Sequence, residues 1–406
     1  MYMSHFQTVC LICAAVQTHP AAFVCDHCHG PLGFRYDTSA VQWDDRFRNM
    51  WRYWQLLPIA DPTQIVTLGE GGTPLVRSHA FQDAQIYLKD ETRNPTGSHK
   101  DRPLSLAVNH ARSIGAKTSF VVSAGSTGIS NAALAARAGL QSVVIMSAGT
   151  PPERVYSMFA LGSTVLEVQG DIDALIDEVI HICHTQGLYL SSTSRGSNPY
   201  QAEANKTIAY EIVEELGHAP EWMVIPVGGG GTLAGVLRGF EDLQALGKIT
   251  TLPRLVGVLP HAYNALEVAL ARGLESWDDV LALPYHDLPP TILVKLAHGY
   301  PPDGMEALAA VRRTNGFFFS VTDEEALAAQ QHCGHKEGLY VEPSTGACLA
   351  GLERLLASGH VAPTATVVAL VSGSGFRENF VTMAQRPLEK QTIAPANLAT
   401  TLQALK

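Results

Sequence analysis

The chain has 406 residues, of which 46% are hydrophobic and 16% charged, with a formal net charge of −10. That length can bury one large core or two moderate ones, and no uninterrupted apolar run approaches the ~20 residues a membrane helix requires, so a soluble globular protein of two or three domains is expected. The acidic balance, without any block of Lys or Arg, excludes an electrostatic footprint for nucleic acid or an anionic membrane.

The opening MYMSHFQTVC has neither a basic start nor a long apolar stretch, so no secretory signal is read from it and a cytoplasmic protein is expected. Four of the seven cysteines fall in the first 28 residues, as Cys10-x-x-Cys13 and Cys25-x-x-Cys28. Two such knuckles can gather four thiolates around one tetrahedral Zn2+, with a hairpin between them. Incidental pairs of reduced cysteines are the plainer alternative, and the repeated spacing argues against it. His27 and His29 flank the second knuckle, but four sulfurs already complete the shell. Residues 1–40 are therefore predicted to form a structural zinc ribbon whose loss leaves the chemistry intact. Cys183, Cys333 and Cys348 read as core residues.

Residues 41–60, with WDDRFRNMWRYWQLLPI, read as a helix with aromatic anchors. Next comes NPTGSHKDRP, residues 94–103, which sets Lys100 in a short polar turn between apolar segments. An exposed lysine there is ordinary. A lysine held in an apolar cleft loses ammonium stability, so its pKa falls and it becomes a candidate Schiff-base nucleophile.

From residue 86 onward short β-type runs alternate with helical ones. SFVVSAG, SVVIMSAG and TVLEVQG are each followed by a helical stretch: STGISNAALAARAG, PERVYSMFALG and DIDALIDEVIHICHTQG. The alternation predicts βαβ units and a parallel sheet. A second series, EWMVIPVGGGG, RLVGVLP and TVVALVSGSG, predicts a second sheet, with a cleft between the two. The fold class expected is therefore α/β. Between residues 283 and 304 the Pro-rich LPYHDLPP and HGYPPDG read as surface connections.

Three of these strands end in polar turns that suit a ligand. SAGSTG, residues 123–128, offers backbone N–H groups and the hydroxyls of Ser123, Ser126 and Thr127 to a carboxylate, or is simply a capped helix start. PVGGGGTLAGV, residues 226–236, places four glycines before a helix starting near Thr232, where N–H groups and the helix dipole favour a phosphate. A tight turn without ligand is the plainer reading, but four successive glycines each cost chain entropy. VSGSGF, residues 371–376, presents Ser372, whose hydroxyl can meet a heterocycle nitrogen. A ligand combining phosphate, ring nitrogen and an aldehyde for Lys100 is pyridoxal phosphate.

TLGEGGTPLV, KDETRNPTGSHKDR, SAGSTGISNAALAARAG, NPYQAEANKTIAYEI, PVGGGGTLAGV, VEPSTGACLAGL and VSGSGFRE resemble, in this order, the motif series of threonine synthase and its fold-type II pyridoxal-phosphate relatives. The double CxxC is similar to the zinc-ribbon extension of one branch. The resemblance implies a large cofactor-binding domain from 41–100 and 195–406, with a small α/β domain, 101–194, inserted in it, and a homodimer. It implies that Lys100 carries the cofactor and moves protons at the substrate's α- and β-carbons. Gly228, Gly229, Gly230, Gly231 and Thr232 would hold the phosphate, and Ser372 would face the ring nitrogen; as a neutral hydroxyl, it would not keep that nitrogen protonated. Ser123, Ala124, Gly125 and Thr127 would take the substrate carboxylate, with Thr96 and Ser98 touching leaving group or cofactor.

Three positions depart from the family pattern. Ser126 replaces an Asn that bonds the ring hydroxyl. His99 replaces a Phe, either as a new acid or base or as another packed flat ring. Gln201 replaces an Arg suited to a substrate phosphate, and an amide cannot supply a guanidinium's charge-assisted bonds. The resemblance thus implies elimination and replacement on an O-activated amino acid, with O-phosphohomoserine to threonine first. A cysteate-synthase-like β-replacement on O-phosphoserine, a serine/threonine dehydratase, a binding protein that retains the fold and a nucleotide-binding enzyme are the alternatives.

Overall fold

The structure, a computed structural model, describes residues 5–82, 84–169, 172–192, 194–285, 288–385 and 392–404. The first four residues of the opening segment, Gly170 and Asp171 between the third strand and its helix, and His286 and Asp287 of the Pro-rich stretch lie outside the described residues. No helix among the described residues is long and apolar enough to cross a membrane.

The N-terminal segment is an antiparallel ribbon of β1 (Phe6–Cys10), β2 (Val16–Gln17) and β3 (Leu32–Tyr36), in the order β2-β1-β3. Beyond it the predicted helix over 41–60 is replaced by turns and a tight 3-10 segment, Met50–Leu56. Asn49 caps that segment by accepting the Trp51 N–H at 3.0 Å, and Tyr53 leaves helical geometry at φ −107°, ψ 20°. The aromatic residues have separate anchors. Trp51 Nε1 donates to Glu70 (2.7 Å) and Trp54 Nε1 to Asp44 (3.0 Å), so tertiary partners override local periodicity.

The chain then lays down β4 (Leu75–Arg77) and β5 (Gln85–Asp90), and helix α1 (Asp101–Ser113) leads out of them. It builds a small parallel sheet from β6 (Thr118–Val122), β7 (Gln141–Ser147) and β8 (Thr164–Val168), interleaved with α2 (Ser126–Ala138), α3 (Pro152–Ala160) and α4 (Ile172–Gln186). After α5 (Pro199–Ala202) and α6 (Lys206–Leu216) it returns to the first sheet with β9 (Trp222–Pro226), α7 (Gly231–Ala245), β10 (Arg254–Pro260), α8 (Ala265–Arg272), α9 (Trp277–Leu281), α10 (Gly304–Arg313), β11 (Phe317–Val321), α11 (Asp323–Glu337), α12 (Pro343–Ala357) and β12 (Thr366–Val371). Two C-terminal helices, α13 (Asn379–Gln385) and α14 (Leu398–Ala404), follow. The large sheet runs β11-β10-β9-β12-β5-β4, parallel except for β4.

Strands β9 and β12 are buried along their whole length, as parallel strands covered on both faces must be. Their side chains alternate between two cores. Met223, Ile225, Val368 and Leu370 face the layer containing α6, α7 and α10, whereas Trp222, Val224, Val367 and Ala369 face α11 and α12. Cys183, Cys333 and Cys348 are buried, as expected of core residues. This arrangement brings the C-terminal ends of β6, β9 and β12, the ends that carry the Gly/Ser turns, to a common opening.

Candidate active site

Lys100 caps the N-terminus of α1 immediately after the NPTGSH turn. The turn is pinned on both sides of it. Asp101 accepts from the Thr96 N–H at 2.7 Å and from Thr96 Oγ1 at 2.6 Å. Arg102, wholly buried, lies between Glu91 (2.7 Å) and Glu211 (2.6 Å) and also reaches Thr207 and Thr73. Removing one member of such a buried set typically costs about 3–5 kcal/mol, so the backbone two residues past the lysine is fixed to the large-sheet core. Burial pushes the Lys100 amine down to about 8, with Lys295 acting in the same direction and Asp303 and Glu342 opposing it. Near neutral pH a useful share of Lys100 is therefore the free amine, the nucleophilic form.

His99 points into the same space. Its Nδ1 lies 3.1 Å from the Ser372 carbonyl, which can only accept, so Nδ1 carries the proton and Nε2 accepts from Thr232 Oγ1 at 3.3 Å. Burial, followed by the Lys100 charge, pushes the imidazole down to about 4, so it is neutral at working pH. Of the two readings left open for His99, a simple stand-in for a packed Phe is too little: the ring links the Ser372 turn to the Gly loop. Thr232, whose hydroxyl donates to His99, offers an incoming anion its backbone N–H.

The Gly loop closes against the Pro-rich segment. A Cβ at Gly228 would stand 2.5 Å from the Lys295 carbonyl oxygen, and one at Gly230, where φ is +94°, 2.8 Å from that of Asp303. Only glycine permits this approach, and α7 begins directly at Gly231. Opposite, Ser123 Oγ accepts the Gly125 N–H (3.1 Å) at the end of β6, and α2 starts at Ser126. Ser126 Oγ is buried without a hydrogen-bond partner, as are Gln201 Nε2 and Asn205 Oδ1, one helical turn apart on the α5–α6 side. Buried polar atoms without partners are rare in folded proteins, and these three, with Ser147 Oγ on the same wall, mark a place for a polar ligand.

A cavity of about 480 Å³ joins these parts. It is lined by His99, Lys100, Ser123, Ala124, Gly125, Ser126, Thr127, Gln201, the whole stretch Gly228–Thr232, and Ser372. Thr96 and Ser98, expected beside leaving group or cofactor, are not on its wall. Thr96 Oγ1 is taken by Asp101 and Ser130, and Ser98 pairs its backbone with Gly373. The Pro-rich segment is not merely a surface connection, because Lys295, Leu296, His298 and Pro302 line the cavity. Sequence reasoning also missed Glu342, Asn205 and Arg154 on that wall. Glu342 and Asn205 lie inside the quoted motifs VEPSTG and NPYQAEANKT, which is the signal that was available. Lys295 and Arg154 carry none.

In the ribbon, the Sγ atoms of Cys10, Cys13, Cys25 and Cys28 all lie within 4.8 Å of one another. The separations of 3.4 Å (Cys10–Cys28), 3.7 Å (Cys13–Cys25) and 3.5 Å (Cys13–Cys28) exceed a disulfide bond and are close to the edges of a tetrahedron with metal–sulfur bonds of ~2.3 Å. Backbone N–H groups of Ile12 and Cys13 point at Cys10 Sγ (3.3 and 3.4 Å), and that of His27 points at Cys25 Sγ (3.3 Å), as they do toward thiolates.

The profile of the family described as "Pyridoxal-phosphate dependent enzyme" matches residues 66–373. The threonine synthase of Methanocaldococcus jannaschii is 31% identical over 370 residues, covering 88% of this chain and 89% of that one. The threonine synthase of Halalkalibacterium halodurans is 34% identical over 330 residues, 80% and 88% of the two chains. Among solved structures, an O-ureido-L-serine synthase superposes with a TM-score of 0.63 at 22% identity, covering 83% of this chain and 98% of that one. A threonine deaminase from Solanum lycopersicum superposes with a TM-score of 0.64 at 19% identity, with 80% and 90% covered. At these identities the two structures speak for the fold.

Proposed function

Because this chain belongs to the pyridoxal-phosphate dependent enzymes, as a threonine synthase-type lyase or synthase, we propose that it performs elimination and replacement at the β- or γ-carbon of an O-activated amino acid, with O-phosphohomoserine to threonine as the reaction. The observation that carries this reading is the convergence on one cavity wall of Lys100, the Gly228–Thr232 loop, the Ser123–Thr127 loop and Ser372. The unpartnered Ser126 Oγ and the glycines that no side chain could replace support the fit of pyridoxal phosphate.

When bound, the cofactor supplies an aldehyde for the substrate's nitrogen and a ring that accepts the electron pair left at its α-carbon. Lys100 would hold the cofactor, and its free amine would move protons at the substrate's α- and β-carbons; an amine lowered to about 8 suits both directions of transfer. Backbone N–H groups of Gly228, Gly229, Gly230, Gly231 and Thr232 would hold the phosphate at the positive end of α7. The Ser123–Thr127 loop would fix the substrate carboxylate and Ser126 would meet the cofactor's ring hydroxyl, while neutral His99 holds the Gly loop against the Ser372 turn.

Gln201 brings no charge to a substrate phosphate, but Arg154 and Lys295 line the same cavity. An uncharged amide at 201 favours one second reading, a dehydratase or β-replacement enzyme for a smaller O-linked amino acid. We further propose residues 101–194 as a small domain inserted in the large one, a structural Zn2+ on Cys10, Cys13, Cys25 and Cys28, a homodimer, and a cytoplasmic location. Incubating the purified protein separately with O-phosphohomoserine, O-phosphoserine, serine and threonine tests the reaction. Threonine and phosphate from the first substrate are expected. No threonine from it, with 2-oxo acid or replacement product from another, would transfer the assignment to the second reading.

A further inference from the structure

Two cations on the cavity wall, Arg154 and Lys295, come from distant parts of the chain to one carboxylate. Glu378 Oε1 lies 3.4 Å from Arg154 Nη2 and Glu378 Oε2 lies 2.8 Å from Lys295 Nζ, so one oxygen answers each cation. Lys295 Nζ is also anchored by Glu342 Oε2 at 2.6 Å. An ammonium has three N–H donors, and two carboxylates leave one for a ligand. Arg154 stands in the first turn of α3, at the positive end of the helix dipole, where a cation is disfavoured unless an anion answers it. Gln201, only 1% exposed, keeps its unpartnered Nε2 in the same cavity as a neutral donor.

We propose that Arg154 and Lys295 form the subsite for the substrate's leaving-group phosphate, supplying the charge that Gln201 lacks, and that Glu378 occupies this pair until the substrate displaces it. The proposal rests on the reading of a phosphorylated amino-acid substrate. A carboxylate that sets one oxygen on each cation shows that a single anion can answer both. A phosphate presents more oxygens and more charge to the same two groups, and the guanidinium of Arg154 is the geometry that phosphate favours.

Displacement does not strand Glu378. Arg377, next to it in the chain, has Nη1 and Nη2 buried without a hydrogen-bond partner. Its charge already acts with that of Glu378, Glu342 and Asp101. Glu378 therefore has a second cation to turn to when phosphate takes the first pair. The pair also lies beside the loop assigned to the substrate carboxylate, because a Cβ at Gly125 would stand 3.5 Å from Lys295 Cε. The test must therefore separate phosphate from carboxylate.

Cofactor-loaded wild-type, Arg154→Met and Glu378→Gln proteins, with loading checked by absorbance, are titrated with inorganic phosphate by calorimetry. They are titrated in parallel with L-serine, which has the substrate's amine and carboxylate but no phosphate, by cofactor absorbance. Wild type is expected to bind phosphate, and Arg154→Met to bind it about tenfold less tightly or worse. Glu378→Gln, which removes the competing charge, should bind it severalfold more tightly. Serine affinity should move far less than phosphate affinity in both variants, and phosphate should compete with O-phosphohomoserine in threonine formation. No phosphate binding to wild type, an affinity unmoved in Arg154→Met, or one not raised in Glu378→Gln would overturn the proposal while leaving elimination and replacement in place. Serine and phosphate weakened alike would assign the pair to the carboxylate and overturn it too. Phosphate binding that follows Arg154 and Glu378 in a protein that makes no threonine would instead remove O-phosphohomoserine and keep the subsite for another phosphorylated amino acid, O-phosphoserine.

Discussion

The chemistry assigned to Lys100 depends on where neighbouring side chains and backbone are held. Two residues on, Arg102 ties the lysine-bearing turn to Glu91 and Glu211, and one residue back His99 ties it to the Gly loop through Thr232. Lys100, the Gly loop and Ser372 were legible in the sequence because each sits in a locally unusual stretch. Lys295 was not, because a lone lysine in a Pro-rich connection has no local signature; only its approach to Glu342 and Gly228 in space gives it meaning. That approach makes a sharp prediction. Gly228→Ala puts a methyl group 2.5 Å from the Lys295 carbonyl oxygen, and relieving such a clash costs about 1–3 kcal/mol, so the variant should fold yet hold its cofactor about tenfold less tightly or worse. Titrating the apoprotein with pyridoxal phosphate by absorbance measures this; an unchanged affinity would show that the loop does not cradle the phosphate.

At the scale of elements, the strands that end in Gly or Ser turns were predicted correctly: β9 and β12, buried on both faces, read as unbroken apolar runs, and β6 and β7 of the small sheet, which alternate buried and part-exposed positions, are marked by their β-branched residues and the turns that close them. The expected helix over 41–60 failed because Trp51 and Trp54 are held by Glu70 and Asp44, partners that local periodicity does not show. Expected independence of ribbon and chemistry also meets a physical objection. The Pro20 carbonyl accepts from His110 Nε2 and from Tyr200 Oη, each at 2.8 Å, and the Leu32 carbonyl accepts from Arg195 Nη1 at 3.0 Å. Tyr200 is adjacent to Gln201 on α5, so the ribbon braces a residue on the cavity wall. Cys10→Ser should therefore lower the zinc taken up at the proposed four-cysteine site and raise KM severalfold with a smaller change in kcat. Metal analysis alongside steady-state kinetics checks this, and loss of zinc with KM unmoved would restore the independent ribbon.

For the whole molecule, the junction of ribbon and α1 also governs response to acid. His110 is buried against Tyr200 with ring centroids 3.3 Å apart, and burial pushes its pKa down to about 3 from 6.5. The unfolded chain therefore binds a proton that the folded one refuses between those values. The penalty is absent above pH 6.5 and grows as pH falls toward 3, reaching on the order of 3 kcal/mol at pH 4. Replacing it, as in His110→Gln, should lower stability at neutral pH through lost packing but flatten the fall below pH 6.5. Denaturant unfolding at several pH values reads both effects, and parallel curves for the two proteins would remove His110 as the cause.

The central claim for the molecule is that two sheets and their Gly/Ser turns converge to make one amine, that of Lys100, the carrier of the cofactor. Borohydride reduction of the cofactor-loaded protein, followed by proteolysis and peptide mass spectrometry, tests it most directly. A pyridoxyl-phosphate adduct on Lys100, in near one-to-one yield and absent from Lys100→Ala, is expected; a stable adduct on another lysine such as Lys295, or none on a protein incubated with excess cofactor, would contradict it.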